Sequence, residues 1–149
     1  VAITASGLYG LTLEKMLIDT AALSLESETA VKGLLELDAY THDYNAHDFR
    51  NDVTANEASG TGYTAGGVVL TATEVTISGG VLTYDAADSS WASSTIANAM
   101  AEIGYFVVGA DTTDMLIFLS DFVNAASSSG GTFLIQRSAS GIFTVDYTP

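Results

Sequence analysis

Both histidines of the chain fall in one short stretch, Thr41-His42-Asp43-Tyr44-Asn45-Ala46-His47-Asp48, and each is followed by an aspartate. Imidazoles beside carboxyl groups can ligate zinc or exchange protons, which makes His42, His47, Asp43 and Asp48 the candidate metal or acid–base residues. Their spacing argues against that chemistry. Histidines five apart sit on different faces of a helix, and no H-E-x-x-H pattern supplies the usual pair on one face. The competing reading is a polar connection in which the aspartates cap turns.

The second candidate is Gly60-Thr61-Gly62-Tyr63-Thr64-Ala65-Gly66-Gly67, four glycines in eight residues. A phosphate-binding loop needs a lysine followed by Ser or Thr at the head of a helix. Here Gly66-Gly67 runs into the β-branched stretch Val68-Val69-Leu70-Thr71, and the glycine spacing also misses the dinucleotide pattern. Gly60, Gly62, Tyr63, Gly66 and Gly67 therefore read as architecture, a turn that launches a strand. Two oxygen-rich groups, Asp85/Asp88/Ser89/Ser90 and Asp111/Thr112/Thr113/Asp114, lack the ligand order of a calcium loop and read as solvated turns. Covalent catalysis has no cysteine to use and no G-x-S-x-G elbow. Neither an enzyme nor a cofactor is expected.

Composition narrows the partners. Four basic residues (Lys15, Lys32, Arg50, Arg137) face 18 acidic ones, a net charge of −14. Nucleic acid and anionic membranes both recruit basic patches, so neither is an expected partner. No apolar run reaches the length of a spanning helix, and a soluble chain is expected.

These residues need elements to hold them. The row Leu8, Leu11, Lys15 and Ile18, with Leu13, Met16 and Leu17 beside it, predicts a short amphipathic helix over 8–19. The run VKGLLELD predicts a strand ending near Asp38, and 45–52 a helical turn or ordered loop. From Gly66 onward short β-type runs recur: VVLTATEVTI, VLTY, WASSTI, EIGYFVVG, MLIFLSDF, TFLIQR and IFTVDY. Asn98-Ala99-Met100-Ala101 either extends a strand or makes a single helical turn. Ser78-Gly79-Gly80 and Ser127 to Gly131 read as connections between antiparallel strands. The pattern predicts a mainly β chain, an antiparallel β-sandwich of jelly-roll type, with an N-terminal arm and short helix over 1–28 and one domain over 29–149. Trp91 is the expected core landmark. The aromatics Trp91, Tyr105, Phe106, Phe118, Phe122, Phe133 and Phe143 are core or interface anchors, or alternatively a sugar-stacking platform.

Taken in order, Glu57 to Thr71 (EASGTGYTAGGVVLT), Asp85 to Ile96 (DAADSSWASSTI) and Ser127 to Val145 (SSSGGTFLI, then GIFTV) resemble a family of small tailed-bacteriophage virion proteins. Two departures stand out: NAMAEIGYFVVG follows the tryptophan segment, and Gln136-Arg137 stands where that family often has a tryptophan. The resemblance implies a non-enzymatic virion protein made in the host cytoplasm. Its leading form is a capsid decoration or cement protein on the outer head, trimeric, with the major capsid protein and its own copies as partners. The N-terminal arm would dock on a capsid protein or a neighbouring copy. A tail-tip, fibre-base or head–tail connecting component is the alternative within the virion, and a sugar-binding β-sandwich module the alternative outside it.

Overall fold

The computed structural model describes residues 3–18, 23–27 and 29–147. In chain order the elements are β1 (Gly7–Leu8), α1 (Gly10–Leu17), β2 (Val31–Leu37), β3 (Gly60–Thr61), β4 (Val68–Val69), β5 (Glu74–Ser78), β6 (Val81–Asp85), β7 (Ser89–Phe106), β8 (Met115–Ile135) and β9 (Phe143–Asp146). Two 3-10 turns, Arg50–Asp52 and Thr54–Asn56, lie between β2 and β3. The chain is mainly β and antiparallel with one short helix near the N-terminus, as its sequence predicts.

Two sheets form. The larger runs β1-β8-β7-β2-β4 with β3 added to β7, and the smaller runs β5-β6-β9. They pack through Val31, Ile117 and Phe118 on one side and Tyr84 with the partly buried Val75 and Phe143 on the other. The opposite face of the large sheet is covered by a second core of Ile3, Tyr9, Leu34, Tyr40, Val53, Ile103, Tyr105, Leu116 and Leu119. A register shift explains how neighbouring residues of β8 serve both faces. Tyr105 pairs with Leu116 but Gly104 with Phe118, so Ile117 is the extra residue of a bulge and joins Phe118 between the sheets. Gly104 has no side chain because the Phe118 ring lies where its Cβ would be.

Glycines mark real breaks at the β5–β6 hairpin, where Gly79 (φ 58°) and Gly80 (φ 84°) supply the two left-handed residues of a two-residue turn. The expectation fails at Ser127 to Gly131. These residues lie inside β8, and WASSTI, NAMA and EIGYF likewise fuse into β7. The polar glycine tract is a bend in a continuous ribbon. Phe122 and Phe133, eleven residues apart, would be about 36 Å apart on a straight strand, yet their ring centroids are 6.4 Å apart. Left-handed backbone at Ser93, Asn98, Val123 and Gly130 lets the β7–β8 ribbon fold over, closing a third core around Leu35, Trp91, Ile96, Ala99 and Phe133. Across the bend Ser94, Thr95 and Ile96 pair with Gly131, Ser129 and Ser128. Trp91 is in the core, as expected.

The N-terminal segment docks on its own domain. Gly7–Leu8 pairs with Leu119 and Phe118, and Ile3 and Tyr9 are fully buried. The helix is shorter than its periodicity predicts: Leu8 is in β1, α1 starts at Gly10, and residue 19 lies outside the described residues. Thr12, the buried residue of α1, donates its hydroxyl to the Leu116 carbonyl and ties the helix to β8. The stretch VVLTATEVTI splits into β4 and β5.

Candidate functional site

The histidine stretch folds into a tight turn after β2. The Asp43 carboxyl accepts from the amides of Asn45 (2.9 Å) and Ala46 (3.1 Å), and the Asp43 carbonyl accepts from the His47 amide (2.9 Å). Aspartate at the head of a turn does this work because its short side chain reaches its own backbone two residues on. The imidazoles flank Tyr40, at ring distances of 6.4 Å for His42 and 5.7 Å for His47. His47 Nδ1 contacts the Tyr40 hydroxyl at 2.7 Å, and that hydroxyl contacts Tyr9 at 3.1 Å. Burial holds the Tyr9 and Tyr40 hydroxyls above the ordinary phenol range, so both act as neutral hydrogen-bonding groups. Asp48 is engaged elsewhere, with Lys15 Nζ at 2.7 Å. The four side chains are thus close in sequence but do not converge: Asp43 caps the turn, Asp48 pairs with Lys15, His47 meets Tyr40, and His42 Nδ1 has no hydrogen-bond partner among the described residues. Among the described residues no three His, Cys, Asp or Glu side chains are placed to hold a metal ion.

The loop 60–67 is built around a carboxyl group that its sequence does not advertise. Glu57 Oε1 accepts from the Tyr63 hydroxyl (2.7 Å) and from the Gly66 amide (2.6 Å). Tyr63 in turn accepts from the Leu35 amide (3.0 Å), and Tyr105 donates to the Gly66 carbonyl (2.7 Å). The Tyr63 ring stacks on Trp91 at 6.0 Å. Gly67 (φ 68°) must be glycine twice over: its backbone is left-handed, and a Cβ would overlap the Gly33 carbonyl of β2. The amides of Tyr63, Gly66 and Gly67 are spent inside the protein, on Gly60, Glu57 and Thr64, and the loop clamps β3 and β4 onto the sheet.

Across an isolated bridge from Glu57 lies Glu36 of β2, fully buried, with neither carboxyl oxygen hydrogen-bonded to protein. Burial first, and the charge of Glu57 second, push Glu36 up to about 9. It is therefore a neutral acid at pH 7.

The two oxygen-rich turns hold arginines. Asp114, almost buried, accepts from the amides of Val108 (2.7 Å) and Gly109 (2.9 Å) and from Arg50 Nε (3.3 Å), while Asp111 takes the far end of the same guanidinium. Asp88 accepts from the Arg137 amide at 2.8 Å, and Ser89 accepts from Arg137 Nη2 at 2.7 Å. The Arg137 side chain makes a two-pronged pair with Glu102, which is fully buried on β7 beneath Gly33. Sequence reasoning missed Glu36, Glu57, Glu102 and the roles of both arginines. A signal existed for two of them: single carboxylates inside the apolar runs LLEL and AEIGYF are residues that need a partner or a proton.

A cleft of about 560 Å³ lies between α1 and the small sheet and is lined by Leu8, Leu13, Met16, Val75, Leu82 and Val145 among others. Of the polar residues there, Thr12 is bonded to Leu116 and Glu26 accepts from the Val75 amide. Of the seven aromatics, Trp91, Tyr105, Phe118 and Phe133 are buried, while Phe106, Phe122 and Phe143 are partly buried. Comparison with family models, with curated proteins and with solved structures returns no match.

Proposed function

We propose that this chain is a non-enzymatic structural protein of a bacteriophage particle, a decoration or cement protein on the outer head surface that bridges capsomers. The observation that carries this reading is where the reactive groups go. His47, Asp43, Asp48, Glu57, Glu102, Asp114 and both arginines are spent on holding the chain together, and the cleft beside α1 is mostly apolar. A body so committed acts by shape and contact. The ordered likeness of GTGYTAGG, DAADSSW and SSSGG to virion proteins supports the virion as its setting, and a net charge of −14 suits an outer surface rather than one against packaged DNA. Its partners on this reading are the major capsid protein and its own copies, three to an oligomer. Bridging stabilises a shell because area buried between subunits must be exposed again before the shell can rupture.

Copy number in purified particles tests it. A head decoration protein is present at on the order of hundreds of copies, whereas roughly six or twelve copies would move it to the tail or the head–tail connection. Absence from the particle would overturn the virion reading.

A further inference from the structure

The turn 43–47 is also a clasp on the N-terminal segment. Tyr44 donates to the Ala5 carbonyl (2.7 Å), its carbonyl accepts from the Gly10 amide (2.7 Å), and its ring covers Gly7 and meets Tyr9 edge-on at 5.4 Å. Asp48, just past the turn, grips Lys15 of α1. The segment held this way includes β1 and the helix that walls the apolar cleft.

Besides the bonds of the Asp43 carboxyl and carbonyl, one ring nitrogen ties the turn. His47 Nδ1 receives the Asp43 amide at 3.2 Å and the Tyr40 hydroxyl at 2.7 Å. An amide N–H can only donate, so Nδ1 must be an unprotonated acceptor and the ring proton must sit on Nε2. An imidazolium carries protons on both nitrogens and can accept from neither partner. We propose that His47 is an acid-sensitive catch: taking up a proton breaks its bond to the Asp43 amide, reverses the Tyr40–Tyr9 hydrogen-bond chain behind it, and loosens the hold of Tyr44 on residues 5–10.

The groups that face this catch are few. Tyr40 and Tyr9 are held neutral by burial, Asp43 uses its carboxyl on the turn, and Asp52 accepts from the Asp48 amide at 3.0 Å. Glu36, near enough for its charge to act on both tyrosines, is neutral in the acid range. His42, the other imidazole, packs on Tyr44 with a ring distance of 4.5 Å. Lys15 is paired with Asp48.

Hydrogen exchange of the intact protein, corrected for intrinsic rates, tests the catch. Between about pH 7.5 and about pH 5.5, protection of the amides of residues 5–10 should fall roughly tenfold, the equivalent of one hydrogen bond. His47→Asn leaves an acceptor oxygen near the place of Nδ1 and nothing to titrate, so it should abolish the step, while His42→Asn should keep it. In the unaltered protein, the Gly10 and Tyr44 amide NMR signals should shift with the same midpoint as the His47 ring. A step that persists in His47→Asn, a midpoint that follows His42 instead, or no step in the unaltered protein would each overturn the proposal.

Discussion

Replacing Glu36 by glutamine isolates one buried proton. The folded protein holds Glu36 near 9 where an exposed glutamate stands at 4.5, so between those values the folded state binds a proton that the unfolded state has released. The sign follows from linkage: stability from this group is complete below about pH 4.5 and falls as pH rises toward about 9, by about 1.4 kcal/mol for each pH unit. From about pH 5 to about pH 8 the loss is about 4 kcal/mol, a large part of the stability of a domain of this size. Glutamine keeps the shape and has no proton to lose, but brings an amide into a site where no partner awaits it, at a cost of about 1–3 kcal/mol. Glu36→Gln should therefore be less stable than the parent at about pH 5 and more stable at about pH 8. Urea unfolding at both values, followed through the fluorescence of Trp91, measures the crossing. A difference between variant and parent that is the same at both values would refute the assignment of a neutral, buried Glu36.

Arg137→Ala leaves Glu102 buried without its partner and should cost about 3–5 kcal/mol, read by the same denaturation; removing Glu102 as well should recover part of that loss, and a cost under about 1 kcal/mol for the single variant would mean the pair is not desolvated. Gly67 and Gly79 share left-handed backbone (φ 68° and 58°), but a Cβ at Gly79 meets open space whereas at Gly67 it meets the Gly33 carbonyl. Gly79→Ala should cost about 1–2 kcal/mol and Gly67→Ala clearly more, with loss of the β2–β4 pairing seen as faster exchange of Leu70. Equal melting temperatures for the two variants would contradict the close approach.

Local signals were legible where the chain makes local structure. Val31–Leu37 reads as a strand from its apolar run, and Ser78-Gly79-Gly80 reads as a hairpin because only glycine enters that turn cheaply. The same residue types misled at Ser127 to Gly131. Serine and glycine report that the backbone bends, and whether the bend joins two strands or folds one ribbon depends on what packs inside it, here Phe122, Phe133 and Trp91 from distant positions. The histidine turn was legible as a capped polar connection because Asp43 acts on its immediate neighbours. Its grip on Ala5 and Gly10 was not, since those contacts span more than thirty residues. Glu102 and Arg137 likewise meet only after β7 and β8 have paired.

The docking of the N-terminal segment sets an order of events during synthesis. The β7–β8 ribbon can zip from the turn at 107–114 outward, using neighbours in sequence. β1 cannot join it until its partner strand exists, because Leu8 pairs with Phe118, and the Asp121 amide donates to Ser6 Oγ, 115 residues away. At about 5–20 residues per second the early apolar side chains wait on the order of ten seconds for their sheet. During that interval Ile3 and Tyr9, buried in the finished molecule, are apolar surface open to chaperones and to neighbouring nascent chains.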